Sequence, residues 1–154
     1  MALEIGSPAP LFSLPGADGG PVALSSFAGR KLVLYFYPKD DTSGCTREAK
    51  DFTALKSAFA AADTDIVGIS PDAPASKAKF ARKYGLSVTL AADEEKEAAR
   101  AYGVWVEKSM WGRRYMGIER STFLIGRDGT IARIWPKVSV AGHAEEVLAA
   151  AQAL

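Results

Sequence analysis

The chain has 154 residues, 48% hydrophobic and 24% charged, which fits one globular domain with a buried core and excludes a disordered chain. A net charge of +1 gives no drive towards nucleic acid or an anionic membrane, and no run nears the ~20 apolar residues that span a bilayer. The N-terminus M-A-L-E-I-G-S-P-A-P lacks a signal peptide's basic and apolar regions, and a single cysteine forms no internal disulfide, so a cytoplasmic location is expected.

In chain order, F-S-L and V-A-L flank P-G-A-D-G-G-P and predict a small N-terminal hairpin. K-L-V-L-Y-F-Y (31–37) is a continuous apolar run, expected of a strand buried on both faces. From Thr46 to Ala62, Phe52, Leu55 and Phe59 recur at helical spacing and predict one helix with a single apolar stripe. D-I-V-G-I-S (65–70) reads as a second buried strand. Asp72 and Pro74 then open a helix that Gly85 closes. S-V-T-L-A-A is a third strand, and Asp93 caps a helix running to Tyr102.

The basic and aromatic stretch V-W-V-E-K-S-M-W-G-R-R-Y-M-G reads as irregular: a loop packed against the sheet, a nucleic-acid surface being the weaker alternative in so neutral a chain. Residues 120–125 and 130–136 flank R-D-G, a hairpin signal. A last helix runs from His143 to about Gln152. Strands alternating with helices, then an antiparallel hairpin and a helix, predict an α/β protein with a mixed β-sheet sandwiched by helices. That order is thioredoxin-like, and a single domain over 1–154 is expected.

Cys45 ends the polar loop Y-P-K-D-D-T-S-G-C and stands where a helix begins. Free N–H groups and the positive end of the helix dipole stabilise an anion there. An unperturbed thiol is only ~3% thiolate at pH 7, and helix N-termini and nearby cations raise that fraction. The alternative is a buried, inert cysteine, which the polar neighbours Ser43, Gly44, Thr46 and Arg47 disfavour.

Three features narrow the reaction. Thr42 stands three before Cys45, where disulfide-exchange proteins carry a second cysteine; a hydroxyl instead exchanges hydrogen bonds with an oxygen substrate. His143, the only histidine, is expected to be a surface or helix-start residue far from the strand-end cluster, which disfavours a Cys–His pair. Arg120 leads into the apolar strand S-T-F-L-I and needs an anion, either the Cys45 thiolate or a surface acid. The acids of A-D-E-E-K-E form a solvated helix start, so no metal site is expected.

P-K-D-D-T-S-G-C (38–45) resembles the P-x-x-x-T-x-x-C signature of peroxiredoxins. Y-F-Y-P-K-D-D-T-S-G-C-T-R-E-A, G-V-W-V-E-K, Y-M-G-I-E-R-S-T-F-L-I and D-G-T-I resemble the bacterioferritin comigratory protein, or peroxiredoxin Q, branch over nearly the whole chain. The resemblance implies a cofactor-free, thiol-dependent reductase of hydrogen peroxide and organic hydroperoxides on a thioredoxin fold. It makes Cys45 the peroxidatic nucleophile, Thr42 a hydrogen-bond partner of the peroxide, Arg120 the cation over thiolate and peroxide, and Pro38 a shield against water. The backbone N–H groups of Gly44 and Cys45 would bind peroxide oxygens, and Glu48 would help orient the arginine.

Many relatives carry a resolving cysteine five residues after the first, here Lys50, or in the next helix, here Phe80 and Ala81. The chain therefore resembles a one-cysteine type, reduced by an external thiol such as thioredoxin, glutaredoxin or glutathione. No nucleic-acid or membrane partner is expected, and a monomer is expected before a dimer. The competing classes are a non-enzymatic thioredoxin-fold binding protein and an oxidoreductase of protein disulfides.

Overall fold

The apolar run at 31–37 becomes the middle strand of the main sheet. The computed structural model describes residues 3–154. β1 (Ser13–Pro15) and β2 (Pro21–Ala23) form the N-terminal hairpin. The main sheet contains β3 (Lys31–Phe36), β4 (Thr64–Ser70), β5 (Thr89–Ala92), β8 (Ser121–Ile125) and β9 (Ile131–Trp135), ordered β5-β4-β3-β8-β9. β3, β4 and β5 run parallel, while β8 and β9 are antiparallel to their neighbours, giving the expected mixed, thioredoxin-like sheet.

Side chains of β3 alternate between two cores, as the strand period of two requires. Leu32, Leu34 and Phe36 join Val67, Phe123 and Tyr102 on the face covered by the N-terminal hairpin and α4 (Glu97–Ala101). Val33, Tyr35 and Tyr37 join Phe52, Phe59, Phe80 and Val147 on the opposite face. Those four come from α1 (Ser43–Ala54), α2 (Lys56–Ala61), α3 (Pro74–Tyr84) and α5 (His143–Ala153). A strand with a core on each side has no polar face, hence its unbroken hydrophobic sequence.

Four expectations need correction. The helix expected over 46–62 starts earlier, at Ser43, and is two helices, broken at Leu55. Asp72 does not cap α3, whose flanking residue is Ala73; its carboxylate instead accepts from Ser70 Oγ and the Asp40 N–H, both at 2.7 Å. The supposed irregular stretch is a hairpin, β6 (Trp105–Met110) and β7 (Arg113–Ile118). Its tip residues Trp111 and Gly112 have φ of 55° and 76°, so the two-residue turn has positive φ at both positions. Trp111 is 94% exposed, so the tip projects from the molecule rather than packing on the sheet. The fourth, His143, belongs with the site below.

Gly68 on β4 lies in register with Tyr35 on β3. A Cβ there would sit 2.5 Å from Tyr35 Cζ, and the ring cannot retreat because it stacks on Phe52 with centroids 4.8 Å apart. Gly68→Ala is therefore expected to cost about 1–3 kcal/mol, the usual penalty for overpacking. Urea denaturation checks this, and an unchanged midpoint would show that the ring is free to move.

Candidate active site

The sheet register brings the site together. Phe36, the last residue of β3, pairs with Ser121, the first of β8, so Arg120 stands beside the strand end from which the Tyr37–Thr42 loop departs. That loop turns sharply at Asp41, whose φ of 61° is left-handed and tolerated by Asp. It then delivers Thr42 as the N-cap of α1, with φ −95° and ψ 156°. Ser43, Gly44 and Cys45 are the first three helical residues. The first backbone bond of the helix runs from Thr46 N–H to Thr42 C=O at 2.8 Å, and no side chain caps the N–H groups before it. Cys45 thus sits in the turn where N–H groups have no intrahelical partner and the dipole is positive.

Arg120 Nη2 donates to Cys45 Sγ at 3.1 Å, and Nη1 donates to Glu48 Oε1 at 2.7 Å. The guanidinium therefore bridges two residues one helical turn apart on α1. A Cβ at Gly44 would lie 3.4 Å from Nη2, an ordinary van der Waals distance, so the guanidinium packs directly over this part of the first turn. Burial disfavours the charge of Arg120, but Glu48 and Cys45 outweigh it and hold the group more firmly protonated than usual. The acid that meets Arg120 is buried Glu48, the residue the family resemblance sets beside the arginine, and not an acid at the surface.

Cys45 is only 1% exposed and packs among the aromatic residues of the second core, so its polar sequence neighbours misstate its surroundings. Thr42 is exposed, and its Oγ1 donates to Lys39 C=O at 2.9 Å, leaving the oxygen free to accept. Pro38 is exposed at the start of the loop. Lys50 is exposed with its Nζ 5.1 Å from the Tyr84 ring centre, Phe80 is core, and Ala81 is half-buried.

His143 does begin α5, but it is buried rather than at the surface. Its Nε2 shares a hydrogen bond of 2.8 Å with Thr122 Oγ1, and its ring meets Phe52 and Trp135 edge to face. Burial holds its pKa down, with Arg120 adding to the effect, so the imidazole is neutral and close enough to feel the strand-end charges. Its hydrogen bond goes to Thr122, not to Cys45. Sequence position alone gave no sign of this, because helix-start residues are commonly solvated.

Glu48 Oε2 is buried without a partner, and burial pushes the carboxyl up to about 7 against the pull of Arg120. A carboxyl whose folded pKa lies above its ordinary 4.5 stabilises the fold at low pH, and that contribution disappears as pH rises through about 7. At ~1.4 kcal/mol per pH unit, the interval is worth roughly 3 kcal/mol. Glu48→Gln, neutral at every pH, should therefore gain about 2–3 kcal/mol on the parent between pH 5 and pH 8. Urea titrations at both pH values measure this; a constant difference would mean that Glu48 is ionised throughout.

A second polar cluster, missed in the sequence, lies under the same loop. Fully buried Lys77 donates to Tyr37 Oη at 2.9 Å, to Asp40 Oδ1 at 3.0 Å and to Ser70 Oγ. The available signal was spacing: Lys77 stands three before Phe80, on the inward stripe of α3.

A thioredoxin-like sheet with a lone cysteine in the first turn of a helix, its sulfur bonded to an arginine from an adjacent strand end, defines a class of cysteine-centred redox proteins. The AhpC/TSA family profile matches residues 5–134. Peroxiredoxin Bcp of Bacillus subtilis is 47% identical over 148 residues, covering 96% of this chain and 94% of that protein. Putative peroxiredoxin bcp of Coxiella burnetii is 45% identical, covering 96% and 98%. A structure of Xanthomonas campestris bacterioferritin comigratory protein, described with its alkyl peroxide reduction activity, aligns with a TM-score of 0.91 at 43% identity, covering 98% and 96%. The chain belongs to the AhpC/TSA family, in its peroxiredoxin Bcp branch, and carries one cysteine.

Proposed function

We propose that the chain is a single AhpC/TSA-type domain over residues 1–154 and a thiol-dependent peroxidase. It reduces hydrogen peroxide and organic hydroperoxides to water or alcohols through a Cys45 sulfenic acid. The observation that carries this reading is the 3.1 Å contact of Arg120 Nη2 with Cys45 Sγ at the uncapped start of α1. The relatives' names and the alkyl peroxide activity described for the Xanthomonas protein support it.

In this scheme the Cys45 thiolate attacks one peroxide oxygen. The S–O bond forms, the O–O bond breaks, and its electron pair leaves on the second oxygen, which takes a proton to become water or alcohol. Charge grows on that leaving oxygen, and donors already in place stabilise it without reorganising. Arg120 and the N–H groups of Gly44 and Cys45 supply those donors, Thr42 holds the peroxide, Pro38 limits water at the loop, and Glu48 holds Arg120 in place. A first external thiol then displaces water from the sulfenic acid to give a mixed disulfide, and a second thiol releases the reduced enzyme. Thioredoxin, glutaredoxin and glutathione are the candidate reductants, all met in the cytoplasm.

One equivalent of hydrogen peroxide without reductant is expected to add one oxygen to Cys45, trappable by dimedone, or to give a slow disulfide between the Cys45 residues of two chains. Excess peroxide adds a second oxygen, because the chain has no other thiol to intervene. Intact-mass spectrometry reads both products. Peroxide consumption by a protein that keeps its reduced mass would rule the scheme out.

A further inference from the structure

The loop between β3 and α1 carries two consecutive acids, Asp40 and Asp41, and α3 holds both. Asp40 is buried: its Oδ1 accepts from Tyr37 Oη at 2.6 Å and Lys77 Nζ at 3.0 Å, and its Oδ2 from Ser76 Oγ at 2.7 Å. The Asp40 N–H donates to Asp72 Oδ2 at 2.7 Å, which fixes the backbone as well as the side chain. One residue on, Asp41 accepts from Lys83 Nζ at 2.8 Å and from Tyr84 Oη. Ser76, Lys77, Lys83 and Tyr84 all belong to α3. The loop is thus held at its left-handed residue, Asp41, and at the residue before it by a single helix.

A buried ion pair is weak evidence for stability, because desolvation offsets much of its Coulomb attraction; fixed geometry is its better-attested gain. Here the geometry fixed belongs to the segment that places Thr42 and starts α1. We infer that Lys77 is a positioning residue for the peroxide chemistry, acting through Asp40 to hold the loop that presents Thr42 and the first turn of α1. The inference rests on the peroxidase reading. Lys77 does not touch the sulfur; it decides where the peroxide-facing donors stand. Displacement of such groups by about 1 Å costs up to ~100-fold in rate.

The test compares two reactions of Cys45 in one protein. Hydrogen peroxide oxidation and alkylation by iodoacetamide both need the thiolate and access to a sulfur that is buried in the parent, but only the oxidation also needs the loop donors aimed at the oxygens. Lys77→Met removes the cation, and Lys77→Met with Asp40→Asn also removes the orphaned carboxylate, so the double variant folds if the single one does not. The expected result is a peroxide rate lowered about 10- to 100-fold with alkylation within about threefold of the parent. Lys31→Met is the control: this second buried lysine donates to Ala151 C=O, away from the loop, and its loss lowers stability with the peroxide rate unchanged. A folded double variant that reacts with peroxide within twofold of the parent overturns the inference. So does an equal fall in both reactions, or an equal loss in Lys31→Met. A parent that gains no oxygen would instead sink the peroxidase reading and this inference with it, whereas a reactive parent with an unmoved variant sinks the inference alone.

Discussion

Cys45→Ser is expected to abolish peroxide reduction while leaving the fold intact. The hydroxyl replaces the sulfur at nearly the same size and can still accept from Arg120 Nη2, which reaches Sγ at 3.1 Å in the parent. Arg120 keeps an acceptor at residue 45, so the change in stability should stay within about 1–2 kcal/mol. The chemistry, by contrast, has no substitute. A serine hydroxyl keeps its proton under conditions where a thiol ionises, and His143, the only histidine, shares its hydrogen bond with Thr122 and makes none to residue 45 that would let it serve as a base. The measurement is peroxide consumption with excess dithiothreitol, beside circular dichroism of the same sample. Turnover near the parent rate would mean that the reaction belongs elsewhere in the chain.

The parts of this site legible in the sequence are those fixed by local chemistry. An apolar run followed by a polar loop and an amphipathic stripe places Cys45 at a helix start, because period and loop composition depend on neighbours in the chain. Arg120 was legible by conflict, a guanidinium at the mouth of an apolar strand, whereas its carboxylate partner Glu48 came only from the family resemblance. Glu48 lies 72 residues away and its burial depends on how α1 packs against the sheet. Lys77 and Asp40 are 37 residues apart, and each alone reads as an ordinary surface charge. The β6–β7 hairpin was missed for a different reason. Its turn is Trp-Gly rather than Asn-Gly or Asp-Gly, so Gly112 is the usual second residue but Trp111 carries its positive φ at a position where Asn, Asp or Gly would announce the turn. His143 shows the same limit as Glu48: only the packed structure puts Phe52 and Trp135 around it.

Arg120→Ala tests whether the arginine serves the chemistry or only the fold. It removes one donor to the sulfur and the cation that, among the described residues, pairs with Glu48. For the reaction, loss of one donor aimed at developing charge typically costs about 10²–10³ in rate, or ~3–4 kcal/mol, and that is the expected fall in kcat/KM for peroxide. For the fold, the consequence depends on pH. Arg120 is what pulls the Glu48 carboxyl down, so without it burial drives that pKa above about 7. Glu48 is then neutral and tolerated at pH 6, but must either ionise unpaired or hold its proton at growing cost as pH rises towards 9. The variant should therefore lose stability relative to the parent as pH rises across that range. Adding Glu48→Gln separates the two roles, because it removes the stranded carboxylate without restoring a donor to Cys45. Thermal denaturation of Arg120→Ala/Glu48→Gln at pH 8.5 should show stability recovered from the single variant, while the peroxide rate stays about 10²–10³ below the parent. If activity returns together with stability, Arg120 is a structural counter-ion for Glu48 and the sulfur contact has no part in catalysis.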